Sequence, residues 1–201
     1  MKEKIYLYTG FERFWHWTQA MLITGLLVTG FEIHGTVDLM DFGTAVKYHE
    51  MLAWGLTGLT VFAIFWHFTT GEWKQYRPTL EKMGDMVCYY TGGLFRGAPP
   101  PVKKTPEKKL NPLQRITYFI LKVLLFPFQL LSGFLYMYYN SLPAWGIDIS
   151  LETLGLLHTA GAFAFLAFMV VHVYLSTTGE TVTSHLRAMI TGWESVETGR
   201  Q

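Results

Sequence analysis

LETLGLLHTAGAFAFLAFMVVHVYLSTTGE, residues 151–180, decides how the rest of the chain is read. The stretch is long and apolar enough to cross a bilayer, yet it carries His158 and His172. An ionisable side chain inside a membrane span is costly, which makes it a functional-site candidate. The two histidines stand fourteen residues apart. At about 100° per residue that is almost four turns, so both rings share one helical face about 21 Å apart. Two stacked haems need such a spacing when a single helix lends a ligand to each.

Composition supports a membrane setting. The 201 residues are 50% hydrophobic and 16% aromatic but only 15% charged, where a soluble domain averages about one quarter charged. The net charge of +1 gives no electrostatic footprint for nucleic acid. Cys88 is the sole cysteine. It excludes a disulfide framework, a C-x-x-C-H haem attachment and a cysteine-ligated iron–sulfur cluster within the chain. A redox centre here has to be held by histidine. The opening MKEKIYLYTGFERFW runs from charged residues straight into an apolar segment, and is read as an uncleaved first helix rather than a signal peptide.

Four spans follow from the apolar runs, at about 12–33, 47–69, 113–139 and 151–177. Trp15, Trp17, Trp66, Trp73 and Trp145 gather at their ends, as an interfacial aromatic belt requires. The expected fold is an all-α integral membrane protein. It is a single domain over residues 1–201, a four-transmembrane-helix bundle with a long loop over 71–112. Pro127 is expected to kink the third span, and Lys122 to snorkel toward the interface. Basic residues cluster in the N-terminal segment (Lys2, Lys4, Arg13) and in the long loop (Lys74, Arg77, Lys82, Arg96, Lys103, Lys104, Lys108, Lys109, Arg115). The other two connections hold only Lys47 beside Asp38, Asp41, Asp148 and Glu152. The positive-inside rule then makes both termini and the long loop cytoplasmic in a multi-pass membrane protein.

Within the loop, APPPVKKTPEKKLNP (98–112) reads as an extended connector. YRPTLEKMGDMVCYYTGGLF (76–95) and TVTSHLRAMITGW (181–193) read as short amphipathic helices at the interface. A faint echo relates HEMLAWG to HTAGAFA, each followed by TTGE.

This topology assigns the histidines to depths. His16 and His172 share the cytoplasmic level, whereas His49 and His158 share the opposite one. Two pairs at two levels is what bis-histidine ligation of two b-type haems demands, because each iron takes two axial nitrogens from opposite faces. The alternative is four unrelated histidines hydrogen-bonding across the bundle. His67, eighteen residues beyond His49, falls on the same helix face about 27 Å away. It belongs at the cytoplasmic surface, as a propionate partner, a proton-handling group or a solvated residue. His34 ends span one, and His185 lies beyond the spans. Gly25, Gly30, Gly55, Gly58, Gly133, Gly155 and Gly161 give room for close backbones or a flat macrocycle. Asn111 followed by Pro112 also reads as a helix N-cap with proline at the first helical position.

The motifs resemble the cytochrome b (gamma) subunits of respiratory formate dehydrogenases, related to the b-type cytochromes of nickel–iron hydrogenases and thiosulfate reductases. They are R-x-x-H-W (Arg13, His16, Trp17) and a histidine opening span two with a glycine beyond (His49, Gly55). A K-x-N-x-x-Q element (Lys109, Asn111, Gln114) and L-H-x-x-G…H (LHTAG with His172) complete them. The resemblance implies two b haems, with His16 and His172 on the cytoplasmic one and His49 and His158 on the periplasmic one. It also implies a quinone, menaquinone or ubiquinone, beside the inner haem at Asn111 and Gln114. The partner would be a periplasmic iron–sulfur, molybdopterin, hydrogenase or multihaem cytochrome subunit. The expected function is electron transfer between that partner and the quinone pool, by a membrane-anchoring di-haem subunit. Two other classes compete: a stand-alone two-haem quinone oxidoreductase acting on superoxide or ferric iron, and a haem-free membrane anchor.

Overall fold

Side-chain caps fix where the four long helical stretches begin. Thr9 and Glu12 form a reciprocal box, Thr9 N donating to Glu12 Oε2 at 2.8 Å and Glu12 N to Thr9 Oγ1 at 3.4 Å, and helix α1 follows over Gly10–Ile33. Asp41 Oδ1 accepts from Thr44 N at 2.9 Å ahead of α2, Phe42–Thr70. Asn111 and Gln114 repeat the reciprocal box at 2.9 and 3.1 Å at the start of Pro112–Met137. Ser150 Oγ accepts from Thr153 N at 3.1 Å ahead of Leu151–Ser176. Each cap satisfies amide donors that the first helical turn leaves without intrahelical partners.

The computed structural model describes residues 2–102, 104–179 and 181–197. Lys103 of the basic loop and Glu180 of the second TTGE lie outside the described residues. After α2 comes a 3₁₀ turn, Glu72–Tyr76, then the short α3, Met83–Cys88, which ends in π and 3₁₀ turns. The third long stretch has three parts: α4 (Pro112–Ile120), a π segment (Leu121–Leu125) and α5 (Phe126–Met137). The π segment ends two residues before Pro127, whose nitrogen has no proton to donate and whose ring crowds the preceding turn. The expected irregularity therefore takes the form of a widened turn. A 3₁₀ stretch, Tyr139–Trp145, leads to α6, Leu151–Ser176, and α7 follows at Ser184–Thr191.

The all-α expectation needs one correction. Strands β1 (Lys2–Tyr6) and β2 (Trp193–Glu197) pair antiparallel, with Tyr6 opposite Trp193. Neither sequence, KEKIY or WESVE, alternates polar with apolar residues, and five positions leave little signal beside the long apolar runs. Gly192 closes α7 at φ 88°, a left-handed turn that glycine adopts without penalty. Its carbonyl accepts from Leu7 N and Tyr8 N at 2.8 and 3.2 Å.

Phe42–Thr70, Pro112–Met137 and Leu151–Ser176 are long and apolar enough to cross a membrane. The remaining expected span is helical, but α1 falls short by composition because His16, Gln19 and Glu32 dilute its apolar run. Large apolar side chains stay exposed along these helices, including Val61, Phe62, Ile64 and Phe65 on α2 and Val170, Val171 and Val173 on α6. An apolar surface of this kind belongs in lipid.

The chain forms two compact units. One consists of Trp17–Ala63 and Leu121–Val170. Inside it a methyl group on Gly25 would come within 2.9 Å of Leu52, and one on Gly55 within 3.4 Å of Leu22, so α1 and α2 approach closely along a glycine seam. Aromatic contacts join α2 to α5 (Trp54–Phe134, 5.0 Å), α5 to α6 (Phe126–Phe165, 5.4 Å) and α1 to α6 (Phe31–Phe163, 5.3 Å). The other unit consists of Met1–His16, Ile64–Ile120 and Val171–Gln201. There the sheet packs with α7, and Arg13 Nη1 donates to Ile190 O at 2.6 Å.

Candidate haem-binding histidine pairs

Each unit contains one histidine pair. In the first, His49 on α2 and His158 on α6 have ring centroids 6.1 Å apart, with planes at 81°. In the second, His16 on α1 and His172 on α6 also stand 6.1 Å apart, at 49°. All four rings come from the interiors of long helices, so backbone position rather than loop conformation sets the spacing.

That spacing tests whether a haem fits. A metal–nitrogen bond of about 2.0–2.1 Å, with the ring centre about 1.1 Å beyond its nitrogen, gives roughly 6.2–6.4 Å between two imidazoles on opposite sides of one ion. Both observed separations match within a few tenths of an ångström. The donor count also fits. Among the described residues no group of three or more histidine, cysteine, aspartate or glutamate side chains gathers to hold a metal. Two imidazoles are too few for a structural zinc, which takes four protein ligands. They suffice for an iron whose other four nitrogens come from a macrocycle.

A hydroxyl stands beside Nδ1 of both His49 and His158. Thr29 Oγ1 donates to Gly25 O at 2.8 Å and lies 2.9 Å from His49 Nδ1. A hydroxyl has one proton, so with that proton on the carbonyl Thr29 accepts Nδ1–H, and His49 keeps its lone pair on Nε2. Ser132 repeats the arrangement, with Oγ donating to Gln129 O at 3.2 Å and lying 3.1 Å from His158 Nδ1. The Gln129 amide nitrogen sits 3.3 Å from His158 Nε2, 3.2 Å from Nδ1 and 3.2 Å from His158 O. In the other pair, Tyr118 OH lies 3.4 Å from His172 Nδ1.

Glycines make room for the rings themselves. A methyl group on Gly133 would lie 2.9 Å from His158 Cε1, and one on Gly30 would lie 3.3 Å from His49 Cε1. A side chain on Gly161 would overlap Gln129 Oε1. The spacing of glycines in the sequence raised the general idea of close approach, but which of them face histidine required the structure. Gly133→Ala is expected to push the His158 ring off its position, at an overpacking cost of about 1–3 kcal/mol. Haem absorbance per polypeptide should fall in this variant, while Gly58→Ala, with nothing within 4 Å, should keep the parental value.

The remaining sequence candidates separate. His67 is 7% exposed and edge-on to Trp15 and Trp66, each at 5.1 Å, with Tyr76 at 5.4 Å. It is caged by aromatic rings rather than solvated. His34 is exposed, with Nδ1 3.0 Å from Thr36 Oγ1. His185 Nε2 lies 3.6 Å from Glu194. Burial and the neighbouring Lys104 hold its pKa below the ordinary histidine value, against the opposing pull of Glu194.

Asn111 and Gln114 meet each other through the capping box, which uses Asn111 Oδ1 and Gln114 Oε1 as acceptors. Asn111 Nδ2 donates to Tyr90 OH at 3.1 Å. Sequence reading missed the neighbouring ion cluster. Lys109, 6% exposed, reaches Glu12 at 2.7 Å and Glu72 at 3.3 Å. Burial, followed by Glu12, pushes the nearby Tyr76 phenol above its ordinary pKa. Lys109 thereby ties the residues preceding α4 to the capping box of α1.

Comparison with known proteins identifies the family. The family described as prokaryotic cytochrome b561 matches residues 7–192. The protein named as cytochrome YdhU of Escherichia coli K12 is 30% identical over 196 residues, covering 95% of this chain and 75% of that protein. A protein of Rhodobacter capsulatus named as a Ni/Fe-hydrogenase B-type cytochrome subunit is 24% identical over 228 residues, covering 99% of this chain and 84% of that protein. No solved structure matches.

Proposed function

Because the chain belongs to the prokaryotic cytochrome b561 family, we propose that it is a four-span, two-haem b-type cytochrome. In this reading it passes electrons between a redox partner at one membrane face and quinone at the other. Membership makes it a multi-pass b-type cytochrome of the inner membrane. The two-haem reading rests on one observation above the rest: two histidine pairs, each with centroids 6.1 Å apart. His49 and His158 would hold one haem, and His16 and His172 the other. A haem held by two histidines would supply one-electron transfer there.

The remaining assignments follow from chemistry and charge. Basic residues in the N-terminal segment and the 71–112 loop favour a cytoplasmic location for both. Asn111 and Gln114 would then lie on the cytoplasmic side, where a quinone oxygen needs a hydrogen-bond donor. The capping box leaves the Gln114 NH₂ as that donor, with no partner among the described residues. A periplasmic partner of the iron–sulfur, molybdopterin, hydrogenase or multihaem cytochrome class fits an electron-transfer subunit. The Rhodobacter relative's name favours the hydrogenase class, and the sequence motifs favour a formate dehydrogenase gamma-like role. Detergent-purified protein should show a low-spin b-type spectrum and two haems per chain in a pyridine haemochrome assay. One haem, or a high-spin spectrum, contradicts the assignment.

A further inference from the structure

Thr29 and Ser132 lie on different helices, α1 and α5, yet share the same local chemistry. Each hydroxyl gives its proton to a backbone carbonyl in its own helix, Gly25 O at 2.8 Å and Gln129 O at 3.2 Å. Each also sits 2.9–3.1 Å from the Nδ1 of a histidine on another helix. Thr29 is 4% and Ser132 5% exposed, so bulk water has no access to replace either one. A hydroxyl polarised by donating to a carbonyl is a stronger acceptor. The His16–His172 pair has a different partner, the Tyr118 phenol at 3.4 Å from His172.

We infer that Thr29 and Ser132 are paired positioning residues. They lock His49 and His158 with Nε2 facing the metal, and they hold the haem between those two rings toward its oxidised state. The inference rests on the two-haem reading. Accepting Nδ1–H leaves more electron density on the imidazole and makes it a stronger ligand to the more highly charged iron. With two such acceptors on one haem, ferric iron is favoured from both axial sides. Removing either hydroxyl leaves a buried N–H without an acceptor and weakens that preference.

Haem content of the parental protein comes first, since fewer than two haems would overturn the two-haem reading rather than this inference. Thr29→Val, Ser132→Ala and Thr29→Ser are then compared by optical redox titration. The haem step that disappears in His158→Ala identifies the centre concerned. The modest net contribution of one hydrogen bond predicts an upward shift of about three- to tenfold in the reduction equilibrium of that step. At 59 mV per decade for one electron this is roughly 28–59 mV. The other step should stay in place, and Thr29→Ser should return the parental value. Loss of that one haem in Thr29→Val with retention in Thr29→Ser also supports the hydroxyl's role. Unchanged midpoints with both haems retained, equal shifts of both steps, or haem loss in Thr29→Ser would overturn it.

Discussion

His158→Ala is expected, on the proposed two-haem reading, to reduce haem content from two per chain to one, with the spectrum of the remaining haem unchanged. His158 faces His49 at 6.1 Å, and both lie within the unit formed by Trp17–Ala63 and Leu121–Val170. His16 and His172 face each other at the same separation within the other unit. Neither pair shares a ring with the other, so removing one ligand should leave the second pair intact. His49→Ala should give the same product as His158→Ala. The measurement is a pyridine haemochrome assay with a reduced-minus-oxidised spectrum, and circular dichroism checks that the helices persist. Loss of both haems from a folded His158→Ala protein would contradict independent pairs. Loss of a haem in His67→Ala would show that the ligands are paired wrongly, because His67 packs against Trp15, Trp66 and Tyr76 instead of another histidine.

Helical periodicity made the pairs legible before any coordinates. His158 and His172 stand a near-integral number of turns apart, and the charge of the loops gave each span an expected orientation. The rings of His16 and His172, and those of His49 and His158, stand 6.1 Å apart. Helix ends were less legible, because the 47–69 estimate began at the apolar run whereas the helix starts at Phe42, capped by Asp41. His49 therefore sits seven residues inside its helix, as His158 does in α6. The terminal strands were missed because their pairing joins residues nearly the whole chain apart. For the same reason the ion cluster of Lys109 with Glu12, 97 residues distant in sequence, left no local trace. Thr29 and Ser132 read in sequence as ordinary small residues of a membrane helix; only their second bond, to a histidine on a neighbouring helix, sets them apart.

Gln114→Glu separates the two jobs that Gln114 is asked to do. A glutamate at this position keeps the acceptor oxygen that Asn111 N reaches at 3.1 Å, and a carboxylate near a helix N-terminus is favoured by the helix dipole. It lacks the NH₂ that would donate to a quinone oxygen. Loss of that donor should cost about 1–3 kcal/mol, or roughly 5- to 150-fold in the rate of haem reduction by a quinol analogue. Gln114→Leu loses donor and cap together, so it should match the kinetic defect and add a fall in thermal stability. Stopped-flow haem reduction, with haem content and melting temperature measured in parallel, reads both effects. If Gln114→Glu reacts at the parental rate while Gln114→Leu is merely less stable, the residue is a helix cap and the quinone binds elsewhere. If Gln114→Glu is slow with two haems and an unchanged melting temperature, the side chain does both jobs. Its oxygen starts the helix that carries Tyr118 toward His172, and its nitrogen faces the quinone.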